Sequence, residues 1–417
     1  MTPESARRIC RSRTGSSASS TLVLFLSLDN SLMEDEHSEN RILSPISAGK
    51  PREETMDDTK GDEEKGGAAT DRRTLLRTAG IAGAAGAAFA GAMHGKFSLA
   101  PIAAAQAQTA AMPKGVDKPW WPSKWGKDDE AGASNHITPA KVLDAVKWIK
   151  DGKIYKIGRV YEQGMPLFGA RAFSLRIPGG PTGGPFGDNK LVYHDEFLAT
   201  EIGQTGTQFD GLGHIGIQLG KDGDKSEMRF YNGFSAAEIS DAYGLKKLGA
   251  EKLKPLFTRA HLIDMVALKG GMMDAGQEIT SADIKAALAK QSIAESDIKP
   301  GDAIMFHTGW GSLWMKNNDR FNSGEPGIGL DAAKWIIEKD LALTAADTWA
   351  VEVVPNPDKS LAFVVHAELQ TKHGILNHEN LIFDELIADK KYQFVYCFTP
   401  SPIKGATGSN GCPIAIT

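Results

Sequence analysis

Residues 204–214 read Gln204-Thr205-Gly206-Thr207-Gln208-Phe209-Asp210-Gly211-Leu212-Gly213-His214. If 204–210 run as a strand, successive side chains alternate between its faces. Gln204, Gln208 and Asp210 then share one face, and Gly206 between them leaves room for a bound atom. The turn Gly211-Leu212-Gly213 can swing His214 beside the same cluster. Two neutral oxygen donors, a carboxylate and a nearby imidazole suit a divalent cation with an adjacent base. The same residues also suit an ordinary polar network or a solvated strand edge, and the segment taken alone leaves both readings open.

Outward from this stretch, short β-branched or aromatic runs separated by Gly, Pro or Asp read as strands at 191–193, 260–266, 303–307, 348–354 and 393–398. Helices are expected near 235–242, 281–290, 331–339 and 380–388. Another opens at Thr138-Pro139, with Thr as N-cap, Pro in the first turn, and Val142, Val146 and Ile149 on one buried face. Strands alternating with helices predict an α/β architecture. The PGGPTGGP stretch within 178–187 reads as a mobile surface loop, either a lid over a site or an exposed turn.

The N-terminal region does not belong to that fold. Residues 1–70 are polar and almost free of aromatics, so they are expected to form a disordered extension. Arg72-Arg73 then precedes a Gly/Ala stretch, 78–95, without Lys, Arg, Asp or Glu. An arginine pair before a weakly apolar segment is the twin-arginine export pattern, and Ala105-Gln106-Ala107 supplies a small-residue cleavage site. Residues 71–107 are therefore expected to be a signal peptide handled by the Tat translocase. The mature domain is expected to span 108–417 and to reside in the periplasm, with no stable membrane insertion.

The formal net charge of −5 offers no basic field for nucleic acid or an anionic membrane. Three cysteines, Cys10, Cys397 and Cys412, are too few for a disulfide framework. Whether Cys397 and Cys412 pair is left open.

The segment 204–214 resembles the H-x-G-T-H-x-D-x-x-x-H signature of the cyclase family, which includes bacterial kynurenine formamidases and isatin hydrolases. The likeness runs along nearly the whole mature chain. Trp125-Gly126, Asp129-Glu130, Gly132 and Asn135 resemble the family's opening W-G-x-x-D-E-x-G-x-x-N. Tyr231-Asn232-Gly233-Phe234, Pro300-Gly301-Asp302-Ala303 and Thr308-Gly309-Trp310 match later blocks, and Glu379-Asn380-Leu381 matches its E-N-L.

The resemblance implies a swivelling β/β/α-type single domain and metal-dependent hydrolysis of a small amide, lactam or lactone. The family's best-known reaction converts N-formylkynurenine to kynurenine plus formate in tryptophan catabolism. Carried over, Asp210, His366 and Glu379 fall on metal ligands and His214 on the catalytic histidine. Gln204 and Gln208 fall where relatives usually have two metal-binding histidines. Glutamine offers a neutral carbonyl oxygen, so the expected cation is Mn²⁺ or Zn²⁺, with Mg²⁺ possible, and one or two ions are left open. Phe209 and Trp310 are candidate walls of the substrate pocket. Relatives are commonly homodimers, and a homodimer is expected here. No G-x-S-x-G elbow is present, so no serine nucleophile is implied. The competing reading is a catalytically weakened periplasmic small-molecule binding protein on the same scaffold.

Overall fold

A computed structural model describes residues 112–417. The proposed extension 1–70, the signal 71–107 and Cys10 lie outside the described residues. Nine strands form one mixed sheet: β1 Ile154–Lys156, β2 Gln208–Asp210, β3 Leu256–Asp264, β4 Ala303–His307, β5 Leu343–Ala346, β6 Leu376–Glu379, β7 Gln393–Phe398, β8 Gly408–Asn410 and β9 Ile414–Ile416. Their order is β1-β9-β7-β3-β4-β5-β6-β2-β8. β3, β4, β5 and β6 run parallel, and β7 and β2 flank them antiparallel. β4 is buried on both faces, which is why it reads as a nearly continuous apolar run rather than an alternating one.

One face of the sheet is covered by a core that includes Ile284, Leu288, Ile304, Phe306, Ile336 and Leu369. Helices α2 Ser281–Lys290 and α3 Leu330–Glu338 contribute to it, and α1 Pro139–Val146 packs beside β3. The opposite core includes Phe209, Tyr231, Leu262, Met305, Phe394 and Tyr396. α2 begins with a reciprocal capping box between Thr280 and Asp283, which satisfies two otherwise orphaned backbone donors. Thr138 caps α1, as its sequence predicts. That helix stops at Val146, however, which is exposed, and Ala145 is the residue it buries.

Two of the blocks that carry the resemblance hold the architecture together. Asp129 accepts hydrogen bonds from Gly132 N at 3.0 Å, Asn135 Nδ2 at 2.7 Å and Tyr231 Oη at 2.6 Å. Asn232 donates back to the carbonyls of Gly126 and Asp129. Trp120 donates from Nε1 to Phe230 O at 3.1 Å, so the tryptophan-rich segment packs on this domain.

Several expected elements are corrected. The run 348–354 is no strand. The carboxylate of Glu325 accepts from Trp349 N and Ala350 N, and isolated bridges of Glu325 with Val354 and of Ile328 with Glu352 join the run to its neighbours without extending into a ladder. The expected strand 260–266 starts earlier and stops at Asp264, whose side chain caps a helix Met265–Lys269. Only Asp384–Ala388 of the expected helix 380–388 forms, because Asn380 has a positive φ of 59°. The helix near 235–242 is a single turn, Ala236–Ile239. The end of the PGGPTGGP stretch enters strand Gly183–Phe186, paired with Leu191–Tyr193 in an exposed hairpin. Cys397 and Cys412 are both free thiols. Among the described residues, no helix is long and apolar enough to cross a membrane.

Candidate metal centre

β2 and β6 lie side by side, pairing Asp210 with Asn377 and Gln208 with Glu379. Alternation along β2 aims Gln208 and Asp210 to one face and Phe209 to the other. Along β6 it aims Asn377 and Glu379 to that same face and His378 away. A short helix, Val364–His366, continues as a π-helical segment, Ala367–Lys372, and delivers His366 and Gln370 to the cluster. The donor atoms of Asp210, His366 and Glu379 all lie within 4.8 Å of one another, and all three residues are buried.

Each of these groups is held by named partners. His366 donates from Nδ1 to Glu352, and Glu352 also accepts from the backbone N–H groups of Val365 and His366 at 3.1 Å each. That contact turns Nε2 inward, 3.2 Å from Glu379 Oε1 and 3.6 Å from Asp210 Oδ2. Asp210 Oδ2 accepts from Gln370 Nε2 at 3.1 Å and from Asn377 Nδ2 at 3.3 Å. Glu379 Oε2 accepts from Gln204 Nε2 at 2.9 Å and from Gln208 Nε2. His214 sits at the margin, its side chain 22% exposed, with Nε2 3.7 Å from Asp210 Oδ1.

Burial and mutual charge perturb the cluster. Burial and then the Asp210 charge push the Glu379 carboxyl up to about 8, against the His366 and Gln208 contacts that favour its ionised form. Burial alone would lower the His366 imidazolium, but hydrogen bonds to Asp210, Glu352 and Glu379 hold it well above its ordinary value. Burial likewise opposes ionisation of Asp210, yet the nearby His214 and His366 keep its carboxyl below the usual range. Perturbed groups gathered in this way mark functional sites.

The six residues carried over from the sequence thus come together, with one correction of route. The strand covers only 208–210; Gln204 and Gly206 both have φ of 61°, so a bend and not alternation brings Gln204 to Glu379. Gly206 leaves no room for a ligand atom, since a Cβ there would lie 2.5 Å from the Tyr161 ring. The two proposed pocket walls are also corrected. Phe209 is fully buried on the far face, against His378 and Phe398. Trp310 lies in a core with Trp314, Phe321 and Trp349 and donates from Nε1 to Phe321 O at 3.1 Å.

Other histidines prove structural. His378 belongs to β6 rather than a loop, contacts Tyr396 Oη at 2.6 Å, and burial depresses it to about 3. His307, His261 and His136 pair with Asp264, Asp302 and Asp340 respectively. Glu352, Gln370 and Asn377 are the site residues that sequence reasoning missed.

Two carboxylates, one imidazole oriented by a carboxylate on its far nitrogen, and several carboxamides fit one divalent cation. The side-chain oxygens of Gln208 and Gln370 support the fit: both are buried and find no hydrogen-bond partner among the described residues. Turning either amide over would aim such an oxygen inward. A large cavity, about 1050 Å³, lies elsewhere, lined in part by Trp120, Trp121 and Trp125. Its lining lacks the convergent perturbed groups, so the chemistry is assigned to the buried cluster.

The Cyclase family model, described as "Putative cyclase", matches residues 155–353. A crystal structure described as a novel cyclase is 33% identical with a TM-score of 0.61, the match covering 70% of this chain and 96% of that one. Isatin hydrolase A from Ralstonia solanacearum is 15% identical with a TM-score of 0.47, covering 67% and 96%. Isatin hydrolase A from Labrenzia aggregata is 17% identical with a TM-score of 0.46, covering 63% and 93%. No curated protein matches the chain.

Proposed function

Because the chain belongs to the cyclase family, we propose that it hydrolyses a small amide, lactam or lactone with one divalent cation held by Asp210, His366 and Glu379. The observation that carries this reading is the convergence of those three donors within 4.8 Å, with His214 beside them. Arylformamide cleavage is the family reaction and the first substrate class to test.

A bound divalent cation supplies Lewis acidity, polarising a carbonyl and lowering the pKa of attacking water from 15.7 toward roughly 7. The chain's own residues do the rest. His214, partly exposed at the margin, accepts the proton of the attacking water and passes it to the leaving nitrogen or oxygen. Help of that kind is typically worth about 10²–10⁴-fold. Glu352 keeps the His366 proton on Nδ1, so Nε2 offers its lone pair to a cation. The mainly oxygen donor set favours Mn²⁺ or Mg²⁺, with Zn²⁺ less suited.

His214→Ala is expected to lower kcat by about 10²–10⁴-fold while leaving cation binding intact. Kinetics beside elemental analysis check both halves, and loss of the metal in that variant would make His214 a ligand. Glu352→Gln is expected to weaken cation affinity by roughly 10–100-fold, the usual cost of losing an outer partner of a ligand. Calorimetric titration reads it, and unchanged affinity would remove Glu352 from the site.

The binding-protein reading draws on one observation: amide nitrogens of Gln204 and Gln208 already satisfy Glu379. Elemental mass spectrometry of the stripped and reconstituted chain separates the two. About one metal per chain supports the hydrolase; no stoichiometric Mn²⁺ or Zn²⁺ favours the binding protein. Export through the twin-arginine route is proposed on Arg72-Arg73 and the Ala105–Ala107 site. A homodimer is proposed on the exposed apolar side chains of Leu175, Phe197 and Leu198, carried on two paired strands, and of Ile177 just beyond them.

A further inference from the structure

Asn377 stands two residues before Glu379 on β6, so the two side chains share a face. Its amide nitrogen lies 2.9 Å from Glu379 Oε1, 3.3 Å from Asp210 Oδ2 and 3.3 Å from His366 Nε2. Those are the same three residues whose donors converge. The nitrogen therefore sits among them, where a cation held by all three would sit. A carboxamide nitrogen donates hydrogen bonds and has no lone pair free for a cation, whereas the oxygen at the other end of the group does.

That oxygen is held by a neighbour suited to both orientations. Thr344 is the register partner of Asn377 on β5. Its hydroxyl donates to Asn377 Oδ1 at 3.1 Å and lies 3.4 Å from Leu376 O. A hydroxyl both donates and accepts. If the amide turns over, Nδ2 donates to Thr344 Oγ1 and the threonine proton moves to Leu376 O, so no polar group on that side is orphaned. The terminal torsion of asparagine is broad and roughly two-fold, which allows the turn. A cavity of about 10 Å³ bordered by Thr344, His366, Gln370 and Asn377 gives it space.

We propose that Asn377 is a reversible ligand: its nitrogen bridges the two carboxylates when no cation is bound, and its oxygen joins the shell when one is, with Thr344 relaying the hydrogen bond. This rests on the divalent-cation reading above and adds a fourth protein ligand and the residue that positions it. A carbonyl oxygen is a hard donor, so the device favours Mn²⁺ or Mg²⁺ over Zn²⁺.

The test is calorimetric titration of the chelator-stripped full chain with Mn²⁺. Thr344→Val strands Oδ1 of the resting amide and Nδ2 of the inverted one, and because an orphaned buried N–H is tolerated less than an under-satisfied carbonyl, it is expected to weaken Mn²⁺ binding by about tenfold. Thr344→Ser is expected to restore it, which a packing defect would not. Asn377→Asp always presents an oxygen and is expected to tighten binding at least tenfold, by adding ligand charge, while lowering the melting temperature of the stripped protein. Mn²⁺ binding that is lost in Asp210→Asn but unchanged in Thr344→Val and Asn377→Asp overturns the reversible ligand and spares the cation site. Failure of the serine variant to recover what valine lost overturns the relay. No stoichiometric Mn²⁺ in the wild-type chain overturns the proposal together with the reading it rests on.

Discussion

Asp210→Asn is expected to remove stoichiometric cation binding and to lower kcat/KM by at least roughly 10³-fold, since Lewis-acid stabilisation is worth several kcal/mol and each decade of rate is 1.36 kcal/mol. The effect is large because Asp210 does three things at once. Its oxygen is one of three converging donors, its charge lies 3.7 Å from His214 Nε2, and its Oδ2 gathers Gln370 and Asn377. Asparagine is close to isosteric, so the fold should survive while the anionic donor is lost. Elemental analysis and hydrolysis assays on an arylformamide and a lactone panel check this. A variant that keeps a full metal complement and wild-type turnover would exclude Asp210 as a ligand.

The second large effect concerns stability. Asp302→Ala is expected to destabilise the domain by roughly 3–5 kcal/mol, the range for removing one partner of a buried charge pair. Asp302 is fully buried. Its Oδ2 accepts from Arg259 Nε at 2.9 Å, Arg259 Nη2 at 2.6 Å, His261 Nε2 at 2.9 Å and Lys299 N at 2.9 Å, and Lys141 binds Oδ1. Deleting the carboxylate strands two cations, Arg259 within β3 and Lys141 on α1, beside the start of β4.

The same group gives a pH signature. Burial alone would raise the Asp302 carboxyl, but the His261 contact and the Lys141 ammonium outweigh it and bring it down to about 2. Its folded value is thus below its unfolded value of 3.8. The stability it contributes is complete above pH 3.8 and lost as pH falls through 2. Denaturant melts between pH 7 and 2 should show the gap between wild type and Asp302→Asn closing over that window. A gap that stays constant would mean the carboxylate contributes nothing through its charge.

What could be read in advance follows from how local each signal is. Asp210, His214, His366 and Glu379 were reachable because motif blocks carry them. The strands at 303–307 and 393–398 were reachable because their apolar runs are continuous. Alternation should also have excluded Phe209: a residue between Gln208 and Asp210 must face the other way. The same rule pairs Asn377 with Glu379, and i, i+4 spacing pairs Gln370 with His366, so both were accessible in principle. Glu352 was not, because it reaches His366 from an irregular segment with no period to follow. Nor was the fate of 348–354, whose β-branched composition suggests a strand. Two of its backbone donors, Trp349 N and Ala350 N, are claimed by the carboxylate of Glu325, which lies more than twenty residues away. Propensity is silent about such captures.

The π-helical turn at Ala367–Lys372 has a practical consequence for anyone transplanting this centre onto another scaffold. Such a turn is an α-helix carrying one surplus residue, and it persists only where its surroundings hold it. A designer who regularises the segment, trimming that residue for ideal helical geometry, would rotate everything downstream by about a quarter of a turn. Gln370 would swing off Asp210, and the approach to β6 would shift register with it. The irregularity is part of the blueprint, and a graft has to copy its length residue for residue.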